Sequence, residues 1–140
     1  KRYLLACLEE EIKRAIFYQR PCALAVYRID NFKGFREAAG EPASQDIIKK
    51  IAKVIKDSNI PIGRAARLGE YEFAMLLPEK NKKEAVHIAA EVCKKIEKAN
   101  VLNTGKSTLA VTSGVSENPI DGITSDELFK KAMASLDRPK

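Results

Sequence analysis

Apolar and polar residues recur along the chain with two periods, which predict an order of helices and strands. Apolar residues from Tyr3 to Phe17 have helical spacing, and Ile16 is expected among those facing inward. Arg20-Pro21 then ends this first helix. Residues 23–30 follow as an apolar run of strand length, interrupted by Arg28. The first thirty residues therefore predict a helix leading into a buried strand.

The middle of the chain predicts two helices and a β-hairpin. Residues 31–39 have the pattern of a short helix that ends near Gly40. A second helix carries an apolar stripe, consisting of Ile47, Ile48, Ile51, Val54 and Ile55. The segments Arg64 to Leu68 and Glu72 to Leu77 predict adjacent antiparallel strands around a turn at Gly69.

The last third of the chain contains two helix starts and one strand. Asn81 with Glu84, and Thr124 with Glu127, have the spacing of capping boxes. Ser107 to Val115 is typical of a strand between these two helices. The complete order is helix, strand, helix, helix, hairpin, helix, strand, helix. It predicts an α+β fold with one central, mostly antiparallel sheet flanked by helices.

Composition limits the kind of protein further. A length of 140 residues favours a single domain, with 1–20 as an N-terminal helix that leads into a domain at 21–140. The first residue is lysine, so we expect the chain to be part of a longer protein. The sequence contains neither a signal peptide nor an apolar run of membrane-spanning length, and a cytoplasmic location without direct membrane contact is expected.

The net charge of +6 raises nucleic acid as a partner. However, the lysines fall in pairs on the polar sides of several separate predicted helices, and interleaved exposed aromatic residues are missing. We therefore expect solvated helix faces and no nucleic-acid binding. Cys7, Cys22 and Cys93 have no metal-binding or redox spacing and are expected to be inert thiols.

Two isolated motifs carry no chemistry on their own. Gly105-Lys106-Ser107-Thr108 resembles the end of a phosphate-binding loop, but Asn100 stands where that motif requires glycine. His87 lies off the apolar stripe of its predicted helix and has no identifiable orienting partner. We interpret the first as a loop and the second as an exposed side chain.

One combination of segments does point to a site. The strand end "RIDNFK" (residues 28–33) and the hairpin "RLGEYEFA" (residues 67–74) both carry acidic residues. Carboxylates held on rigid strands can bind magnesium, which neutralises charge during phosphoryl transfer. Nucleotidyl transferases with a palm-type fold arrange their metal sites in this way.

These two segments resemble the GGDEF family, the diguanylate cyclase domains of bacterial signalling. The family's D-I-D-x-F-K strand end is similar to "RIDNFK", and its R-x-G-G-D-E-F-A hairpin is similar to "RLGEYEFA". "VTSGVS" and the segment from Ala134 to Lys140 resemble later family motifs, so the resemblance covers almost the whole chain. It implies the nucleotidyl-cyclase palm-like fold.

The signature is altered at the positions that would bind metal. By position, the resemblance implies that Arg28 and Tyr71 replace the two metal-binding carboxylates, while Asp30 and Glu72 remain acidic. A cation and a phenol cannot hold magnesium, which requires hard anionic oxygen. Glu70 replaces the second signature glycine, which gives "GEYEF". We expect neither a metal nor a cofactor, and magnesium would be needed only by an active enzyme.

The positions that would recognise the nucleotide are altered as well. The resemblance places Arg36 and Gln45 where the family reads guanine with asparagine and aspartate. Ile60 and Gly63 replace the arginine and aspartate of the family's inhibitory R-x-x-D site. The whole set of inherited nucleotide-binding positions that could still bind GTP is Asn31, Phe32, Lys33, Arg36, Gln45 and Lys140.

Two functional hypotheses follow from these departures. The first is a catalytically inactive domain that acts as a regulatory or protein-interaction module, with other domains of the same protein or a signalling protein as partners. The alternative is a weak diguanylate cyclase, or a GTP-binding domain of altered specificity.

If Arg28 is buried, it needs a partner, because an unpaired buried cation is costly. Glu70, Glu72 and Asp30 are the candidates. In one hypothesis the guanidinium takes roughly the place of magnesium and ties the hairpin to the strand. In the other it extends into solvent.

Overall fold

The computed structural model describes residues 2–57, 64–69, 71–98 and 110–136. The order of helices and strands confirms the predicted order, and the sheet and its flanking helices confirm the α+β class. The elements are α1 (Arg2–Tyr18), β1 (Cys22–Asp30), α2 (Phe32–Ala39), α3 (Glu41–Asp57), β2 (Arg64–Arg67), β3 (Glu72–Pro78), α4 (Lys82–Lys98), β4 (Ala110–Asn118) and α5 (Ser125–Leu136).

The described strands form one sheet in the order β2-β3-β1-β4, and every pairing is antiparallel. The hairpin prediction is confirmed, since Arg67 of β2 lies opposite Phe73 of β3. β1 lies in the centre, with Arg28 opposite Glu72 on one side and Thr112 on the other. The sheet register therefore brings together the strand end at residues 28–33 and the hairpin at residues 67–74.

The two faces of the sheet carry different helices because successive residues of a strand point to opposite sides. Tyr27 and Ile29 of β1 pack in a core with α2, α3 and α4. Leu24 and Val26 pack in a second core with α1 and α5. β1 is buried on both faces, which explains why its sequence is an apolar run rather than an alternation.

Helix α1 is part of the second core. Leu4, Leu8 and Ile12 are buried against the sheet, together with α5. The inward orientation expected for Ile16 is wrong, because 54% of this residue is exposed. The inward stripe follows Ala15 instead, whose small side chain suits the end of the helix–sheet contact. No helix in the described part of the chain is long and apolar enough to cross a membrane.

Both predicted capping boxes are confirmed. The Glu84 amide donates to the Asn81 side chain at 2.8 Å, and the Asn81 amide donates to the Glu84 carboxylate at 3.1 Å. Thr124 Oγ1 likewise accepts from the Glu127 amide at 3.1 Å. These bonds satisfy amide groups at the start of each helix that have no partner within it.

β4 differs from its prediction at one end, because it runs to Asn118 rather than Val115. Residues 107–109 lie outside the described residues, as does the predicted Gly105–Thr108 loop. Three groups of predicted site positions also fall outside them: Glu70 of the signature, Ile60 and Gly63 of the inhibitory motif, and Lys140.

Candidate functional site

The candidate site lies where the carboxyl end of β1 meets the hairpin of β2 and β3. Arg28 and Glu72 are direct cross-strand partners. Arg28 Nε lies 3.3 Å from Glu72 Oε2, and 26% and 25% of the two side chains are exposed. The arginine therefore does not simply extend into solvent. Its guanidinium forms a half-buried ion pair that joins β1 to β3.

Asp30, two residues further along β1, is bonded to the opposite neighbour. Thr112 Oγ1 on β4 donates a hydrogen bond to Asp30 Oδ2. Because Arg28 and Asp30 have the same parity as Leu24 and Val26, both lie on the α1–α5 side of the sheet. Asp30 and Glu72, the two acids of the altered motifs that the structure describes, are thus already engaged by separate donors.

Tyr71 lies on the opposite side of the sheet from this ion pair. Its ring stacks on Phe32 of α2, with the ring centroids 5.8 Å apart and the planes at 28°. Its carbonyl accepts from the Ile29 amide at 3.0 Å, which extends the pairing of β1 with the hairpin. Tyr71 therefore packs against α2 through its ring, and a carboxylate at this position could not form that contact.

Arg36 completes this aromatic group. Its guanidinium carbon lies 5.6 Å from the centroid of the Phe32 ring, within the range of a cation–π contact. Phe32 itself is only 2% exposed. The structure therefore brings Phe32, Arg36 and Tyr71 together, with the other two side chains packed on the Phe32 ring.

Within the described residues, the other predicted nucleotide-binding positions do not join this group. The amide of Gln45 donates to Glu41, one turn earlier in α3, at 2.8 Å. Asn31 precedes α2 in a left-handed conformation with φ 62°, and its side chain makes no capping bond. Asn31 and Lys33 are both exposed.

The residues present do not fit a magnesium ion. Magnesium prefers octahedral coordination by several oxygen atoms, usually including one or two carboxylates. Here the Glu72 carboxylate faces a guanidinium, and a dication at that point would be repelled by Arg28. The described residues contain no group of three or more histidine, cysteine, aspartate or glutamate side chains placed to hold a metal.

The turn of the hairpin is held by hydrogen bonds between its own residues. The Leu68 amide donates to the Glu72 carbonyl at 2.8 Å, and Arg67 Nε donates to the Gly69 carbonyl at 2.7 Å. Among the described residues, a side chain added at Gly69 would meet only Glu72, at 3.7 Å, so their packing does not require glycine there. The inherited turn is kept by these bonds.

The remaining candidate residues lie away from the site. His87 is exposed, as predicted. Among the described residues, Cys7, Cys22 and Cys93 form no disulfide. Burial raises the pKa of the Cys22 thiol to about 12, with Glu11 and Glu117 adding to the effect. A thiol that stays protonated at neutral pH is a poor nucleophile.

Sequence reasoning missed Thr112 altogether. A threonine in a strand carries no signal of function, and its partner Asp30 is 82 positions away along the chain. Only the register between β1 and β4 places the two side chains together.

Comparison with known proteins shows the family to which the chain is similar. The family model described as "Diguanylate cyclase, GGDEF domain" matches residues 1–140. The bifunctional diguanylate cyclase/cyclic di-GMP phosphodiesterase MucR of Pseudomonas aeruginosa is 26% identical over 92% of the chain. The chain spans only 19% of the length of MucR, so it matches one part of MucR.

Solved structures show the same fold. The active GGEEF domain of a diguanylate cyclase from Vibrio cholerae matches with a TM-score of 0.84, over 97% of this chain and 86% of that one, at 18% identity. The diguanylate cyclase SiaD of Pseudomonas aeruginosa, in complex with its activator SiaC, matches with a TM-score of 0.81. That match covers 96% of this chain and 52% of SiaD, at 24% identity.

The expected fold is therefore confirmed, with a four-stranded antiparallel sheet among the described residues. The family match extends over the full sequence, and the hairpin and strand end carry the family's motifs in altered form. This chain belongs to the GGDEF family of diguanylate cyclase domains.

Proposed function

We propose that this chain is a catalytically inactive GGDEF domain that acts as a regulatory or protein-interaction module in a larger bacterial signalling protein. The observation that carries the proposal is the ion pair between Arg28 and Glu72. It occupies the junction of strand end and hairpin where the family resemblance implies a bound metal.

The charge at this junction supports the loss of activity. A cyclase must place a metal and a triphosphate here, and the metal must be held by anionic oxygen. In this chain one acid is neutralised by a guanidinium and the other accepts from a threonine hydroxyl. Binding magnesium would require the Arg28–Glu72 pair to open and leave a cation beside a dication.

The guanine-reading positions support the same proposal. Arg36 lies over the Phe32 ring, and Gln45 is bonded to Glu41 within its own helix. A site that recognises guanine by a carboxylate with two accepting oxygens loses that pattern when an amide, with one accepting oxygen and a donating NH2, replaces it. This chain therefore lacks the side chains that the family resemblance assigns to metal binding and to guanine recognition.

Regulation through protein contacts fits the context of related domains. SiaD is a diguanylate cyclase that binds an activator protein, and MucR is a much longer bifunctional protein. We infer that other domains of the same protein, or a separate signalling protein, bind this domain in the cytoplasm. A fold of this kind can keep its binding surfaces after its catalytic site is lost.

The proposal is tested by comparing the native chain with a variant that restores the family residues. The variant carries Arg28→Asp, Arg36→Asn, Gln45→Asp, Glu70→Gly and Tyr71→Asp. Both proteins are fused to the same dimerising coiled coil, because family cyclases join two GTP molecules across a homodimer. Each is incubated with GTP and magnesium, and cyclic di-GMP is measured by chromatography.

We expect no product from the native fusion and measurable product from the restored one. Product from the native fusion that disappears in Glu72→Gln would overturn the proposal and support a weak cyclase. Calorimetry with GTP adds a second readout. Binding without turnover would identify a nucleotide-binding module of altered specificity.

A further inference from the structure

A concave surface lies between helix α3 and strand β2, and we call it the α3–β2 groove. It encloses about 680 Å³. Its floor contains the buried residues Ile48, Ile55 and Phe73, while Lys49 and Lys56 stand exposed on its rim. An apolar concave floor with a few charged groups is the composition of many binding sites.

The strand that borders the groove is at the edge of the sheet. Within the described part of the chain, β2 pairs with β3 on one side and with no strand on the other. Half of the backbone amides and carbonyls of such a strand point outward and can pair with an added segment. Ala65 and Ala66 line the groove here, and Ala65 is exposed.

The charge of the lining selects the kind of occupant. Lys49, Lys56 and Arg67 line the groove, and the lining contains no acidic residue among those described. Lys49 and Lys56 form no ion pair within the described residues, whereas the neighbouring Lys50 is paired with Asp46 at 2.9 Å. Two unneutralised cations above an apolar floor favour an acidic partner.

A neighbouring groove provides the contrast. It lies beside α1, encloses about 630 Å³, and is lined by Glu10 and Glu11 with Arg14 as its only cation among the described residues. Two grooves of nearly equal volume thus differ in the sign of their charge. Symmetric pairing of two copies through the α3–β2 groove would bring one basic groove against another, and the like charges oppose that arrangement.

We propose that the α3–β2 groove binds an acidic segment of a partner protein in an extended conformation. The segment adds to the outer edge of β2 through its backbone. Its apolar side chains cover the floor, and its carboxylates approach Lys49 and Lys56. The inference rests on the proposed role as an interaction module and names the surface and the partner chemistry for it.

The probe is a ten-residue peptide of alternating valine and glutamate with blocked ends, and the control probe replaces each glutamate by lysine. Binding to the full chain is measured by calorimetry at low and at physiological ionic strength. We expect the acidic peptide to bind, more weakly as salt increases, and the basic peptide not to bind. Methylating the backbone nitrogens on one edge of the acidic peptide should abolish binding, because those groups pair with β2.

A matched pair of variants separates the groove from overall charge. Lys49→Glu with Lys56→Glu should weaken binding of the acidic peptide by at least about tenfold. Lys94→Glu with Lys95→Glu changes the net charge equally on exposed positions of α4 and should leave binding unchanged. Circular dichroism and thermal melting check that both variants are folded.

Several results would overturn the inference. These are no binding of the acidic peptide, equal weakening by both variant pairs, and tighter binding of a single-stranded oligonucleotide that depends on Lys49 and Lys56. Sedimentation showing a dimer that depends on these two lysines would also overturn it, by assigning the groove to a second copy. Failure here leaves the cyclase assay unaffected, so the two proposals can fail separately.

Discussion

Arg28 is neither fully buried nor fully solvated, since about a quarter of its side chain is exposed. We expect Arg28→Ala to lower the free energy of unfolding by about 1–2 kcal/mol. This value lies between the ~0–1 kcal/mol of exposed pairs and the ~3–5 kcal/mol of broken buried pairs. Denaturant unfolding measures the change, and a double-mutant cycle with Glu72→Ala isolates the pair.

The chain offers a matched control for this measurement. Arg20 lies 3.3 Å from Glu79, the same distance as in the Arg28–Glu72 pair, but its side chain is 64% exposed. Arg20→Ala should therefore cost no more than about 0.5 kcal/mol. Equal losses for the two variants would contradict the view that the Arg28 pair ties β1 to the hairpin.

Tyr27 presents an unusual polar group in the larger core. It is 1% exposed, and within the described residues its hydroxyl has no hydrogen-bond partner. Burial raises the pKa of this phenol, and Cys93 nearby adds to the effect. Because an unsatisfied buried hydroxyl costs free energy, Tyr27→Phe should stabilise the domain by about 1 kcal/mol.

Chemical denaturation tests this gain, with Tyr18→Phe as the control. Tyr18 is 61% exposed, so removing its hydroxyl should change the free energy of unfolding very little. A clear loss of stability in Tyr27→Phe would mean that the buried hydroxyl has a partner.

Cys22 makes stability depend on pH in the alkaline range. Its pKa rises from 9.0 to about 12 on folding, mainly because of burial. Above pH 9.0 the unfolded chain loses this proton while the folded chain keeps it, so the free energy of unfolding falls as pH rises. The contribution is complete below pH 9.0 and decreases by roughly 1 kcal/mol per pH unit above it.

Unfolding measured from about pH 8 to about pH 10.5 should show this decline. Cys22→Ala should make the decline shallower, since it removes the titrating thiol. Cys7→Ala, which changes a half-exposed thiol on α1, should leave the slope as in the native chain. Identical slopes in all three proteins would exclude Cys22 as the cause.

At the scale of elements, the contact between β4 and α5 depends on Gly114. A Cβ atom at this position would lie 2.3 Å from the Ala132 carbonyl oxygen and 3.0 Å from Ser135 Cβ. The first of these atoms belongs to the helix backbone and cannot move without displacing α5. We expect Gly114→Ala to destabilise the domain by about 1–3 kcal/mol, or somewhat more.

Gly34 provides the comparison for this substitution. A Cβ atom there would meet nothing within 4 Å in the described part of the chain, and the residue lies inside helix α2. Gly34→Ala should therefore stabilise the domain by roughly 0.5–1 kcal/mol through helix propensity. Thermal unfolding of both variants should shift the melting temperature in opposite directions, and a shift in the same direction would refute the packing argument.

At the scale of the whole molecule, the altered motifs predict a domain that does not respond to cyclic di-GMP through the R-x-x-D motif. Positions 60 and 63 carry isoleucine and glycine, so the arginine–aspartate pair that would hold guanine and phosphate is missing. Calorimetry should show no micromolar binding at this surface. A variant with Ile60→Arg and Gly63→Asp serves as the comparison, and native binding lost by mutation of this region would contradict the prediction.

The elements of this protein could be predicted from sequence because their causes are local. Capping boxes join residues three apart, as at Asn81 and Glu84, and helical stripes repeat within one or two turns. The hairpin of β2 and β3 was also predictable, since its strands are separated by a short turn at Gly69. Ile16 shows where local patterns fail. Its spacing predicts an inward side chain, but the contact between α1 and the sheet includes Ala15 instead and leaves Ile16 exposed.

The amino-acid sequence by itself determined the order of elements, the α+β class and the altered signature at Arg28 and Tyr71. Only the tertiary structure decided that Arg28 pairs with Glu72, that Asp30 accepts from Thr112, and that Tyr71 stacks on Phe32. The α3–β2 groove likewise exists only after α3 packs beside the sheet. The physical reason is that a long-range contact depends on sheet register and helix packing, which are set by burial across the whole chain rather than by neighbouring residues.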